Sequence, residues 1–282
     1  TAATVPAAVH LLWQYTPPVL YKTFPTDIGS DDADEAPCPA AAAGGIVAFG
    51  GSDGIVRCIN AGTGSQMWSY ATGGRIMAAP TIRHGRVYVG SADGHAYCFE
   101  AVTGRFLWRF RSAAMARSIM VYGHLMGSWP VNGGITVHDG LAYFSAGVLD
   151  HNDVFAFALD AVNGTPARQW LDIGNWNTVQ HRGAASYGHM AVVGGRVWMR
   201  GGNAPMPIFD CATGIATQHI SLTEWLRAYD AQRRFGYATN RGKDIGVIGD
   251  RHLVYGGRLL YIDQSDRSMV WQGGRFCFIG VD

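Results

Sequence analysis

One eleven-residue phrase recurs five times in this chain, and recurrence at intervals of roughly 40–60 residues admits few folds. The copies occupy residues 58–68, 98–108, 158–170, 208–218 and 261–271. Each begins on a small or apolar residue and carries an Asn, Asp or Glu two positions later (Asn60, Glu100, Asp160, Asp210, Asp263). Four hold a glycine in the turn (Gly64, Gly104, Gly164, Gly214), and four end on tryptophan (Trp68, Trp108, Trp170, Trp271). Units of this size are supersecondary modules that cannot bury both faces alone, so they stack on copies of themselves.

The residues around each phrase define the module. Val87-Tyr88-Val89-Gly90 and Ala96-Tyr97-Cys98-Phe99 are short β-prone runs separated by Asp93-Gly94, a strong hairpin signal because Gly adopts positive φ freely. Asp53-Gly54 stands at the same place one repeat earlier. A further strand and turn precede, so the second unit reads as four antiparallel strands over 78–82, 86–90, 96–99 and 106–110. Four short strands per repeat make a propeller blade. The recurring Trp has the bulk to fill the space between blades. Complete units are expected near 38–72, 76–112, 128–172, 184–222 and 243–273, with nothing assigned between 112 and 128. Residues 11–15, around Trp13, read as the last strand of a preceding blade, and 276–281 as the first strand of a following one. The expectation is a single all-β propeller over residues 1–282: five complete blades and part of a sixth. Its remainder would come from a larger seven- or eight-bladed propeller or from another chain.

Composition agrees with short strands and tight turns: 15% of residues are charged and 38 of 282 are glycine. A net charge of +1 gives no electrostatic case for nucleic acid or an anionic membrane. There is no apolar run long enough to span a bilayer as a helix. The start, Thr1-Ala2-Ala3-Thr4, lacks a signal sequence, so either a leader has been removed or the chain begins inside a longer protein. The five cysteines (38, 58, 98, 211, 277) have no metal-type spacing, and Cys58 and Cys98 stand where the third repeat has Ala158, a small packing position. The acidic, proline-containing stretch 16–37 reads as a solvated loop rather than a calcium loop. Residues 221–242 read as an insertion between blades with a short amphipathic helix near 223–229.

The phrase resembles the tryptophan-docking motif of the PQQ-type β-propeller repeat, over roughly residues 40–272. The spacing is intact in the first, second and fifth copies; the third carries two extra positions and the fourth lacks the Trp. Ser128-Trp129-Pro130-Val131-Asn132-Gly133-Gly134 is similar to a subgroup of bacterial exported repeat proteins. The resemblance extends both to quinoprotein dehydrogenases and to an outer-membrane-assembly lipoprotein propeller that has neither cofactor nor catalysis. The dehydrogenases imply a vicinal Cys-Cys pair over the quinone and a calcium ligand set; this chain has no Cys-Cys dipeptide. Neither PQQ nor calcium is therefore expected, and no metal.

If the propeller reading holds, segments leading into the innermost strands gather at one mouth of the channel. They carry Arg75, Trp129, Asn132, His181, Arg182, Tyr187, His189 and Lys243, with Arg117, His124 and Arg241 close by in sequence. Cations and aromatic rings there suit an anionic or carbohydrate-like ligand. The same residues would serve equally well as ties between blades. The His181-Arg182, Tyr187 and His189 group has the residue types of a lyase on acidic polysaccharide. Asp150, His151 and Asp153 mark either a metal loop or a long polar turn.

These readings converge on a non-catalytic interaction or ligand-binding scaffold in a periplasmic or secreted assembly, partnered by another protein or by the rest of a larger polypeptide. A quinone- and calcium-dependent oxidoreductase and a polysaccharide lyase are the alternatives.

Overall fold

A β-strand buried on one face alternates apolar and polar residues, whereas one buried on both faces does not. The third strand of each repeat unit belongs to the second kind, and the computed structural model shows why. It describes residues 10–16, 38–113, 115, 117–121, 124–147, 154–170, 188–199, 208–214, 216–218, 246–248, 252–255, 258–262 and 269–275. These form five four-stranded antiparallel sheets and one separate hairpin, with no helix among the described residues.

The first sheet contains β1 (Ala41–Ala43), β2 (Ile46–Phe49), β3 (Ile55–Asn60) and β4 (Gln66–Ala71). The second contains β5 (Thr81–Arg83), β6 (Arg86–Ser91), β7 (His95–Glu100) and β8 (Phe106–Arg111). The hairpin is β9 (Ser118–Val121) with β10 (His124–Gly127). The third sheet contains β11 (Thr136–His138), β12 (Leu141–Ala146), β13 (Phe155–Asp160) and β14 (Pro166–Trp170). The fourth contains β15 (Ala191–Val193), β16 (Arg196–Trp198), β17 (Ile208–Asp210) and β18 (Ala216–Gln218). The fifth contains β19 (Gly246–Ile248), β20 (His252–Tyr255), β21 (Arg258–Ile262) and β22 (Met269–Arg275). Within every sheet the strands pair in sequence order. First strands neighbour one another in succession: β1 with β5, β5 with β11, β11 with β15, and β15 with β19. This is the arrangement of propeller blades around an axis.

Period-two alternation here sends side chains to two different interfaces. Val87 and Val89 of β6 pack into the core shared with the first sheet, and Tyr88 between them packs into the core shared with the third. Ala142 and Phe144 face back to the second sheet, whereas Tyr143 faces the fourth. Middle strands are therefore buried throughout, while the outermost strands β4 and β8 alternate toward solvent.

The repeated phrase makes the turn between third and fourth strands. Asn60 Oδ1 accepts from the amides of Gly62 and Thr63 at 2.9 and 3.0 Å, and Asp160 and Asp210 do the same for their own turns. The register then shifts after Cys58, Cys98, Ala158 and Ile208, a bulge at one place in each of four sheets. The turn glycines sit at φ 71–74°, in the left-handed region.

Three expectations need correction. The first strand of the second unit was expected over 78–82 but starts at Thr81. Pro80 has no amide to donate, and the preceding backbone is committed to the first two sheets: Arg75 O accepts from Ala92 N, and Ile76 N donates to Gly51 O. Residues 11–15 were expected as the last strand of a preceding blade, yet among the described residues they join no ladder; Trp13 and Tyr15 dock on the first sheet. The interval between 112 and 128 is not empty, because it holds β9 and β10. Residues 17–37, 148–153, 219–245 and 276–282 lie outside the described residues. With them lie the acidic loop, the Asp150/His151/Asp153 group, the 223–229 helix and the final strand.

Candidate functional site

The sheets have two ends, and different residues shape each. The repeated phrase dominates one. Trp13 Nε1 donates to Ala61 O at 2.8 Å, Trp68 Nε1 to Ala101 O at 2.8 Å, and Trp108 Nε1 to Ala161 O at 3.2 Å. In each case the indole lies over the glycine of the next unit's phrase. A Cβ on Gly64, Gly104 or Gly164 would stand only 2.5–2.8 Å from the rings of Trp13, Trp68 and Trp108 respectively. Glycine is needed twice over, for its positive φ and for the ring above it. Trp68 and Trp108 are 8% and 6% exposed. Cys58 and Cys98 stand directly across their ladders from these tryptophans, both reduced, with burial pushing their thiols up to about 11 and about 12. Arg86 and Tyr88 also donate to Ala161 O, so three side chains of the second sheet clasp one carbonyl of the third. Trp170 pairs with Ala156 in the ladder, two residues beyond the register of the other copies because of its two extra positions. The side chains of Trp170 and Trp271 lie outside the described residues.

The other end carries the candidate mouth. Arg75, Trp129, Asn132 and His189 lie in the segments that lead into β5, β11 and β15, so chain topology places them at this end. Their surroundings show what each does. Trp129 packs on Phe155 with ring centroids 4.3 Å apart, and its carbonyl accepts from Ser112 Oγ at 2.6 Å. The His189 ring sits against Gly134, where a Cβ would come within 2.1–2.3 Å of it. Asn132 is 8% exposed, and its Oδ1 has no hydrogen-bond partner among the described residues. Asn132 and His189 are thus brought to one locality around Gly133-Gly134, whereas Arg75 flanks the Ser91–Gly94 turn. His181, Arg182, Tyr187 and Lys243 lie outside the described residues.

Sequence reasoning missed the hydroxyl ties at this end. Thr81 Oγ1 donates to Ile135 O, and Thr136 Oγ1 donates to Met190 O at 2.6 Å, each binding a first strand to the lead-in of the next. Ser91 Oγ donates to Gly74 O at 3.0 Å, and Ser112 Oγ donates to Gly94 O at 2.9 Å. The signal was a Thr repeated at the start of two first strands. Asp93 forms the densest polar knot. Its Oδ2 accepts from Gly73 N at 2.9 Å and from the Tyr97 hydroxyl, and its Oδ1 accepts from His95 N at 2.9 Å. Burial pushes the Asp93 carboxyl up, but the donors from His95, Tyr97 and Gly73 together outweigh it and hold it below the usual range. Burial and the Asp93 carboxylate raise the Tyr97 hydroxyl.

Among the described residues no three His, Cys, Asp or Glu side chains cluster in a way that could hold a metal ion.

A family model described as outer membrane protein assembly factor BamB matches residues 11–273. No curated protein sequence matches the chain. Among solved structures, the quinohemoprotein alcohol dehydrogenase ADHIIG from Pseudomonas putida HK5 aligns with TM-score 0.57 at 15% identity, covering 84% of this chain and 41% of that one. The quinohemoprotein alcohol dehydrogenase from Comamonas testosteroni aligns with TM-score 0.56 at 15% identity, covering 83% and 42%. BamB from Moraxella catarrhalis aligns with TM-score 0.48 at 15% identity, covering 81% and 57%. The chain therefore spans between two-fifths and three-fifths of the length of these structures. The two dehydrogenase alignments show a shared propeller fold.

Proposed function

Because the chain belongs to the outer membrane protein assembly factor BamB family, we propose that it is a non-catalytic propeller scaffold that holds partner proteins in an assembly outside the cytoplasm. The family match over residues 11–273 is the observation that carries this reading. Two features of the molecule support it. The hydroxyls of Thr81, Ser91, Ser112 and Thr136 at the candidate mouth donate to backbone carbonyls of their own or an adjacent unit. They act as fasteners, and a rigid fastened ring suits recognition of another surface. Fold alone does not choose between scaffold and enzyme, so the dehydrogenase likeness adds no activity. The reading assigns the chain neither quinone nor calcium. A small ligand at the Asn132–His189 locality would be polar and carbohydrate-like, because a buried amide oxygen seeks a hydroxyl or amide donor.

The test is a pair of turnover assays on the purified chain. One follows dye reduction with primary alcohols after loading with PQQ and calcium; the other follows unsaturated products from uronate polymers near ~235 nm. The scaffold reading expects no turnover in either. Saturable turnover abolished by His189→Ala would replace it with an enzyme.

A further inference from the structure

The hairpin of β9 and β10 breaks the repeat. It lies between the second and third sheets, with its base fixed at the mouth end: Gly127 N donates to Ala92 O at 2.7 Å and Ser128 N to Arg117 O at 2.9 Å. Its two faces differ. Met126 is 3% exposed, whereas Ile119, opposite it in the ladder, is 39% exposed. On the other face Met120 and Leu125 stand directly opposite each other at 69% and 60% exposure. Met115, just before the hairpin, is 60% exposed. β9 and β10 pair with each other and with no other strand among the described residues; the outer row of β10 is taken up at Gly127 by Ala92 O, which leaves the outer row of β9 as the open edge.

Charge adds a second, independent observation. From Ala101 to His138 the chain contains no Asp or Glu, yet it holds Arg109, Arg111 and Arg117 besides Arg105, which pairs with Glu100, in a protein whose net charge is +1. Arg109, on the outermost strand of the second sheet, and Arg117, at the hairpin base, are exposed. Natural edge strands are usually blunted by charge on the strand itself or by cover. This one keeps an apolar pair outward and has its cations on the flanks.

We propose that the β9–β10 hairpin is a docking edge for an extended, acidic and apolar segment of a partner protein, which adds to it as a further strand. The idea rests on the scaffold reading and names the partner chemistry. Backbone bonds to the open edge supply affinity, the Met120–Leu125 pair takes alternate apolar side chains, and the flanking arginines select carboxylates. An anionic lipid surface would also meet cations and apolar side chains. It is disfavoured, because hydrocarbon cannot satisfy the open edge that a peptide strand or water can.

The test uses the full chain and a fluorescein-labelled ten-residue peptide alternating Glu with Val and Leu. Binding is read by anisotropy and located by hydrogen exchange. The proposal expects saturable binding that weakens as salt rises and protection confined to 117–127. It expects at least a tenfold loss of affinity for the Lys-for-Glu peptide and for a peptide N-methylated at alternate amides. Met120→Ser with Leu125→Ser should weaken binding at least tenfold with the melting temperature within a few degrees of the parent. The N-methylated peptide tests the edge on the unaltered protein, so the proposal stays exposed even if that variant fails to fold. Binding indifferent to N-methylation, protection elsewhere, or binding only to phosphatidylglycerol vesicles would overturn it. None of those outcomes bears on whether the chain turns over a substrate, which the assays above decide separately.

Discussion

Single side chains hold the sheets to one another. Trp68 and Trp108 each combine a buried indole, a hydrogen bond to the next unit and a glycine shaped to receive the ring. Trp68→Ala or Trp108→Ala should destabilise the fold by about 3–5 kcal/mol, as truncation of a buried aromatic does. Chemical denaturation checks this, and variants that unfold with the parent would remove the tryptophans from the account. Asp93 gives the pH dependence. Its folded-state carboxyl titrates below the ordinary range, so its contribution is fully present above about pH 4 and is lost as pH falls through the lowered folded value. Asp93→Asn should therefore unfold along a shallower acid limb than the parent below about pH 4. Parallel acid limbs would show that the His95, Tyr97 and Gly73 contacts do not act on the carboxylate.

At the scale of elements, the first strands are three or so residues long, and their ladder bonds run within each sheet rather than between sheets. The hydroxyls of Thr81 and Thr136 supply the missing ties. Thr81→Val and Thr136→Val should each cost about 1 kcal/mol, since each leaves a carbonyl short of a donor. A double variant at these separate interfaces should lose about the sum. Loss much below that in equilibrium unfolding would mean the sheets are held elsewhere. The strands were legible because Asp-Gly turns and the bulged phrase carry local chemistry that needs no tertiary context, as at Asp93-Gly94 and Asn60–Gly64. The late start of β5 was not, because Arg75 and Ile76 give their backbone groups to strands distant in sequence. The β9–β10 hairpin was missed although Ser118–Gly127 is apolar around Gly123, since a repeat pattern draws attention away from what interrupts it.

At the scale of the whole molecule, the described residues form five four-stranded sheets of one strand order, whose interfaces recur. The propeller was visible in the sequence because one phrase recurs five times, and four of its copies make equivalent turns among the described residues. The candidate site was much less so. Trp129 looked like a ligand platform, but Phe155 lies against it, and nothing local to either residue announces that pairing. Asn132 and His189 come together only because their two lead-ins run side by side past Gly134. A scaffold should meet its partners at definite places on such a ring. The most direct measurement is photo-crosslinking in the native cell, with benzoylphenylalanine placed singly at Met77 and Met120 on the mouth end and at Val102 and Val162 on the phrase end. All four are exposed. The account expects discrete protein adducts of fixed mass from the mouth-end positions, recovered from an extracytoplasmic fraction, and none from Val102 or Val162. An absence of protein adducts from all four positions in cells that hold the folded chain would contradict it.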